Sequence, residues 1–596
     1  MIQKVMSQFE KRTYLFLVLV IWVYVLIRAA MVPIVHDEAA TFLHYIQLNQ
    51  FIPYFAMWDA NNHILNTALG HLFVNLFSDH TFWLRLPNAL SFLIFAYYLQ
   101  RICAEIPQAL LRWLTIIAML TATFQLDFFS QARGYGMGTA FLVAAIYSSA
   151  AYLKHPTVVP QLKVWLFMTL ALLANMSLLN TQIALMGIFG LVLITQRQKH
   201  LPKHGMLLLS VGGGLLLIAS LYALKMRALG LLYTGSLDGF VKVTVFSFAR
   251  FQFDAPTMLL AWLIFAFGFV VCLVLVLRWI QNQFLWSMVS IIGGLLVLNA
   301  LGSVLLAMLL NVNYPEERTG IYFLTLTILA AGFAASEGMR WHRGFALLGL
   351  PLIYFPMQFL LTLNFCTSQL WFDQHIDRQI YSVVMKEQSA QDTPLRISGG
   401  RIHELSWAHL NITNKSQLPL METKHHPDPG ADLVLIHQTS HNPIDFEHDT
   451  LFTSSCSGFL LLKPRQAQAF EYTPDTLSLT AKASGNPSYF NLAEWEIDSV
   501  AGECGLLNFE LSVNSMEKPM HVQIVIKAEN TEGQKLSYEI IPLYWIRKEW
   551  NNDKMQVHRY YRFPPGATRA IVYLWNIGEN EFEVEHSTVT RKLCMD

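Results

Sequence analysis

The chain has 596 residues, 54% of them hydrophobic and only 14% charged, with a mean hydropathy of +0.38. That balance excludes an ordinary soluble protein of this size and points to a polytopic helical membrane protein. Its 41 basic and 41 acidic residues cancel, which gives no reason to expect a nucleic-acid partner.

In chain order, Lys4, Lys11 and Arg12 precede an apolar run from Tyr14 to Val35. The run is too long for the hydrophobic part of a signal peptide and has no small-residue cleavage site, so it is expected to stay as a first span. The positive flank places the N-terminus in the cytoplasm. Val35-His36-Asp37-Glu38 follows where that helix leaves the lipid. Acids there are costly unless solvated, paired or working. They could cap a helix that begins in Ala39-Ala40-Thr41, take a proton, or bind a divalent metal.

From His36 to Leu84 the chain is only intermittently apolar, and its piece Ile64 to Phe77 is expected as a helix lying along the outer surface. Apolar runs of about 20 residues then give about eleven spans before residue 366. They fall at roughly 14–34, 86–101, up to 127, 135–154, 163–179, 181–195, 205–223, up to 278, 284–312, up to 340, and 345–365. Arg197, Lys199 and Lys203 mark a cytoplasmic loop. Lys225, Arg227, Lys242 and Arg250 run against that trend and would suit an anionic ligand outside. An odd number of spans carries everything after Cys366 out of the cytoplasm, so the protein is expected in the inner or plasma membrane.

Three domains are expected: a membrane domain over 1–365, a small α/β domain over 366–468, and a jelly-roll-like β-sandwich over 469–596. A helix is expected over Asp373–Gln388, and strands over Asp432–His437, Met520–Ile526 and Ala570–Trp575. Cys366, Cys456, Cys504 and Cys594 lie in the outer part, where two disulfides could form with pairing left open. Trp545, Trp550 and Trp575 could stack on sugar rings, although buried core positions are the commoner fate.

This topology brings four polar clusters to one face: His36-Asp37-Glu38, Trp58 to His63, Asp127 to Tyr135, and Tyr314-Pro315-Glu316-Glu317-Arg318. Separately each has an ordinary reading as a cap, a headgroup anchor or a solvated histidine. Together, carboxylates and arginines fit a site that holds a phosphate and deprotonates a hydroxyl. Arg matches phosphate oxygens with a planar fork, and a weakly nucleophilic hydroxyl needs a carboxylate base. No glycine-rich nucleotide cradle is visible, so no nucleotide cofactor is expected.

The sequence resembles the GT-C glycosyltransferases, in the polyprenyl-phosphate-sugar-dependent class related to protein O-mannosyltransferases and the lipid A aminoarabinose transferase. The resemblance covers roughly residues 10–365 and rests on an ordered set of motifs. These are Asp37-Glu38, Asn61 to Thr67, Leu84 to Leu90, Ala132-Arg133-Gly134-Tyr135, and Tyr314 to Arg318. It implies transfer of a sugar from a polyprenyl-phosphate donor to an extracytoplasmic lipid, protein or glycan acceptor. Asp37 is then the base and Glu38 its assistant, while Arg133, Arg318, Tyr135 and Tyr314 are expected to hold the donor phosphate. His36, Asn62, His63, Asp127 and Glu317 are candidates for substrate contact or support. Where relatives carry a His-Pro-Pro-Leu-like stretch, this chain has Asn62-His63-Ile64-Leu65. A divalent ion is the one cofactor considered, with Asp37, Glu38 and His63 as candidate ligands. The alternatives are a transporter or flippase of a lipid-linked or anionic substrate, and a non-catalytic glycan-binding scaffold. Transporters place charge in mid-span and show repeats; here charge gathers at span ends.

Overall fold

The computed structural model describes residues 6–195, 201–232, 234–282, 286–391, 394–416, 418–424, 427–428, 430–439, 447–465, 470–477, 483–498, 502–515, 520–547 and 551–594. Lys4, Arg197, Lys199 and Trp550, named above, lie outside these ranges. The chain divides into two compact units. The first gathers Met1–Met31, Ile52–Tyr54 and Trp58–Leu370; the second gathers Val32–Phe51, Phe55–Met57 and Trp371–Asp596.

The first unit is helical, and by its apolar helices the chain is a multi-pass membrane protein. Among the described residues nine helices are long and apolar enough to cross a bilayer, or ten if one bent pair counts as a span. The bent pair, Ala109–Thr121 and Thr123–Phe129, turns by 53° where the third span was expected. The fifth expected span is the helix Val158–Ala174, apolar but only 17 residues long. The helix expected along the outer surface, Ile64 to Phe77, is found as Ile64–Leu76, 13 residues long. Over their most apolar 18 residues, helices Gly134–Lys154 and Glu317–Gly338 have 78% and 89% of positions buried, against 17% for Leu209–Ala228 and 22% for Met258–Gln281. Apolar all round, the first two therefore form the centre of the bundle, while the last two present leucine and phenylalanine outward, as lipid-facing helices do. The bend at Ala122 has a local cause: its backbone is extended (ψ 99°), which ends one helix and starts the next. Every residue of Thr123–Phe129 is buried as a result, and the chain is turned into the segment 130–133.

The second unit begins with an N-terminal insert. Val35 is the N-cap of the six-residue helix His36–Thr41, followed by a π-helical turn, Phe42–Ile46. The insert packs on partners from far along the chain: the Phe42 ring meets His409 at 4.8 Å, and His44 Nδ1 lies 3.2 Å from Tyr544 Oη. The side-chain amide of Gln47 donates to the carbonyl of Tyr544. Residues 397–464 then form a five-stranded sheet in the order Glu422–Lys424, Ile397–Gly400, Leu433–His437, Phe459–Pro464, His448–Thr453. Its first two pairings are parallel and its last two antiparallel. The helix Arg378–Ser389 packs on this sheet through Ile380, Tyr381 and Val384. Its start is fixed by Asp377, whose carboxylate accepts from the N–H groups of Gln379 and Ile380 at 2.9 and 3.0 Å.

Two antiparallel sheets complete the chain. One runs Lys535–Pro542, Val522–Glu529, Arg569–Asn576, Tyr489–Glu496. The other runs Asn551–Phe563, Glu503–Asn514, Phe582–Cys594, Phe470–Thr476, with Ala483–Gly485 also paired to Phe582–Cys594. Strict alternation makes the core: Ala570, Val572 and Leu574 are buried, while Ile571, Tyr573 and Trp575 between them are half-buried on the opposite face. Trp495 of the first sheet meets Tyr561 and Phe563 of the second, both at 6.1 Å. Cys504 and Cys594 form a disulfide between neighbouring strands. Neither Trp545 nor Trp575 is a core residue; the tryptophans that are include Trp371, Trp407 and Trp495.

Candidate active site

In the first unit three of the sequence motifs converge on one turn. The segment 130–133 carries its backbone carbonyls into an apolar bundle, where each needs a partner. Asn66 supplies one, donating to the carbonyl of Ala132 at 2.9 Å. Asn88 supplies others: its amide N–H groups reach the carbonyls of Gln131 and Arg133, and its oxygen accepts from the Met137 N–H at 3.0 Å. Both asparagines are fully buried. The close approach also requires glycine. A Cβ on Gly134 would lie 1.7 Å from the carbonyl oxygen of Ala174, and one on Gly136 would lie 2.5 Å from that of Phe128.

That scaffold presents Arg133, 2% exposed. Its guanidinium donates to the side-chain oxygen of Asn61 and lies 5.7 Å from the Tyr135 ring centre. His63 packs edge-on against Tyr135 at 4.7 Å and donates from Nδ1 to the carbonyl of Ala174 at 2.8 Å. With the proton on Nδ1, Nε2 is the nitrogen with a lone pair, able to accept a hydrogen bond or ligate. Asp59 holds the approach loop, accepting the Asn61 N–H at 2.8 Å. Asn61, His63, Arg133 and Tyr135 are thus brought together, with Asn62 in the same turn.

Asp127 has a different setting. Its carboxylate is paired with Arg28 at 2.5 Å and accepts the Gln369 N–H at 2.6 Å, both groups being buried. Arg28 also donates to the carbonyls of Asn364 and Thr367. Asp127 therefore ties the first helix to the chain leaving the last one.

Tyr314, Glu317 and Arg318 form a further group, held by residues 234–236 and by the π-helical turn Val241–Val245. The Tyr314 N–H bonds the Ser236 carbonyl at 2.9 Å, and Thr244 Oγ1 donates to the Pro315 carbonyl at 2.6 Å. Gly235, at φ +85°, lets the chain pass the Tyr314 carbonyl, which a Cβ would meet at 2.1 Å. Glu317, itself left-handed at φ +51°, pairs with Arg318 at 3.2 Å.

The acid pair belongs to the second unit, where its two members differ. Glu38 is fully buried and its carboxylate accepts the Val35 N–H at 3.3 Å, which is the returning half of a capping box. Asp37 is half-buried, and its own carbonyl accepts Thr41 Oγ1 at 3.0 Å. His36 donates from Nδ1 to the carbonyl of Ile402 at 3.0 Å, while its N–H meets Gln374 Oε1 at 3.3 Å. The helix-capping reading thus describes Glu38. Among the described residues no three His, Cys, Asp or Glu side chains are grouped to hold a metal ion. Of the candidate ligands, Asp37 and Glu38 belong to the second unit and His63 to the first.

Sequence reading missed Asn66, Asn88 and Gly134 as site builders. Their signal was present: two amides and a glycine inside otherwise apolar segments, where nothing but a specific contact repays a polar group.

No family model matches the chain, and no curated protein does. Among solved structures it is similar to the arabinosyltransferase EmbB from Mycobacterium smegmatis, at 10% identity and a TM-score of 0.37, over 97% of this chain and 64% of that one. The chain thus spans less than two-thirds of EmbB. It is also similar to ArnT from Cupriavidus metallidurans, at 10% identity. The apo form gives a TM-score of 0.40 over 76% of this chain and 97% of that one. The form bound to undecaprenyl phosphate gives 0.38 over 77% and 98%.

Proposed function

We propose that the protein is an integral-membrane glycosyltransferase that moves a sugar from a polyprenyl-phosphate carrier to an acceptor outside the cytoplasm. The observation that carries this reading is the buried guanidinium of Arg133, set between Asn61 and Tyr135 by three motif segments of an apolar helical unit. A cation built so deliberately at a membrane helix terminus suits a lipid-borne phosphate.

In this reading Arg133 binds the phosphate oxygens, with Tyr135 packed behind it, and Arg318 and Tyr314 contribute further phosphate contacts. Asp37 takes the proton of the acceptor hydroxyl as its oxygen bonds to the anomeric carbon. The bond from that carbon to the phosphate oxygen breaks, and the polyprenyl phosphate leaves with the bonding pair. A single displacement inverts the anomeric centre. Burial of Arg133 strengthens its hold on the leaving phosphate, because charge developing there is met by a fixed donor with little water reorganisation. Glu38 supports Asp37 by holding the start of its helix, and His63 positions Tyr135.

The test is Asp37→Asn in the full-length protein, with expression and membrane insertion checked. Loss of sugar transfer, together with accumulation of one polyprenyl-phosphate sugar in the cell, supports the reading. Unchanged transfer removes Asp37 from the chemistry.

A further inference from the structure

The loop before the helix Ile64–Leu76 holds an aromatic group that the phosphate site does not use. Trp58 and Tyr222 stack with ring centres 5.4 Å apart and planes 27° apart. Tyr54 stands edge-on to both, at 5.0 Å from Trp58 and 6.2 Å from Tyr222. The partners are distant in sequence: Tyr54 and Trp58 flank the start of the loop, and Tyr222 lies near the end of the helix Leu201–Ala228.

An interfacial belt of tyrosine and tryptophan is the ordinary explanation for such rings. Three observations set this group apart. Tyr54 is 62% exposed yet has φ +72°, a left-handed backbone that bulky residues rarely adopt and that gathers at ligand-holding sites. Asp59 follows Trp58 directly, and one of its oxygens fixes Asn61, the residue that receives Arg133. Lys225 and Arg227, within two turns of Tyr222, are exposed cations at the same helix end. One short stretch, 58–61, therefore leads from a half-buried aromatic stack, edged by the exposed Tyr54, through a carboxylate to a buried guanidinium. A sugar phosphate needs those groups in that order. Its ring offers a C–H face to an aromatic plane and hydroxyl hydrogens to a carboxylate, and its phosphate meets the cation. A polyprenyl tail has no use for Asp59.

We propose that Trp58, Tyr222 and Tyr54 bind the sugar ring of the lipid-linked donor, with Asp59 accepting hydrogen bonds from its hydroxyls. This rests on the glycosyl-transfer reading and adds the residues that choose the sugar. Selectivity then follows from which hydroxyls point at Asp59 while the ring lies on Trp58.

The experiment measures binding of undecaprenyl phosphate, and of undecaprenyl phosphates bearing one pentose or one hexose, to the purified full-length protein in nanodiscs. Wild type is expected to bind at least one sugar-bearing form more tightly than undecaprenyl phosphate. Trp58→Ala should weaken that form by about five- to tenfold and leave undecaprenyl phosphate unchanged, while Trp58→Phe keeps most of the affinity. Retained binding of undecaprenyl phosphate shows that the variant is folded. Asp59→Asn should narrow the differences among sugars. Equal weakening of both ligands by Trp58→Ala, or of neither, overturns the assignment, as does a wild type with no preference for any sugar-bearing form. Failure of wild type to bind undecaprenyl phosphate at all sinks the glycosyl-transfer reading and this assignment with it.

Discussion

The side chain of Asn88 spans the turn that presents Arg133: its amide donates to the Arg133 carbonyl while its oxygen accepts the Met137 N–H at 3.0 Å. Asn88→Ala removes both at once and leaves buried backbone groups without partners. Such a loss costs about 1–3 kcal/mol per group. The variant should melt at lower temperature in detergent and lose sugar transfer through a weaker hold on the donor, read as a raised KM.

Gly134 permits its helix to lie against Ala174 and His63. Gly134→Ala would place a methyl 1.7 Å from a backbone oxygen that cannot rotate away, so the helix must move. Marked loss of thermal stability and of transfer is expected. Gly214→Ala is the control, since nothing lies within 4 Å of a Cβ there. It should be neutral or gain up to about 1 kcal/mol from helix propensity.

The buried pair of Arg28 and Asp127 gives a third prediction. Asp127→Asn strands a guanidinium and should cost about 3–5 kcal/mol of stability. The double change Arg28→Met with Asp127→Leu should recover most of it, because replacing both charges with apolar groups avoids the desolvation cost. Recovery of transfer along with stability would mark Asp127 as an anchor; continued loss of transfer in a stable double variant would make it a substrate contact.

Acid should loosen the second unit. Burial holds His44, His403 and His558 down to about 4, and lowers His521. His36 and His521 add to the effect at His44, and Lys592 adds to it at His558. An unfolded chain takes up these protons near pH 6.5. Between roughly pH 6.5 and 4 the unfolded state thus binds more protons, so stability rises with pH there. The contribution is complete above about pH 6.5 and declines by up to about 1.4 kcal/mol per pH unit for each such histidine as pH falls. Hydrogen exchange of residues 371–596 in the full-length protein, followed from pH 7.5 to 4.5, should show faster global opening in acid, and His558→Gln should flatten the curve.

Much of this was legible in the chain. Long apolar runs give the helical unit, because a bilayer permits few other solutions, and strands such as Arg569–Asn576 announce themselves by alternation. The motif segments around Asn61, Asn88 and Arg133 do meet. What stayed hidden depends on tertiary contact. Asp127 reads as a site acid until Arg28, 99 positions earlier, takes it up. Glu38 and Asp37 are neighbours with the same charge, and only the burial of one and its bond to Val35 separates their roles. The stretch 32–51 reads as a connection between membrane segments, since its partners, among them His409 and Tyr544, leave no local trace. The break at Ala122 has no proline or glycine to betray it.

The membership of Val32–Phe51 in the second unit bears on how the protein is made. These residues leave the ribosome early, yet the surfaces that receive Phe42 and Gln47 begin only after Leu370, some 320 residues later. At about 5–20 residues per second, that interval lasts from roughly a quarter of a minute to a minute. Throughout it an apolar segment bearing Asp37 waits without its permanent neighbours. Removing residues 371–596 would prolong that wait indefinitely, so a shortened chain would lack an ordered Asp37 as well as the sheets of the second unit.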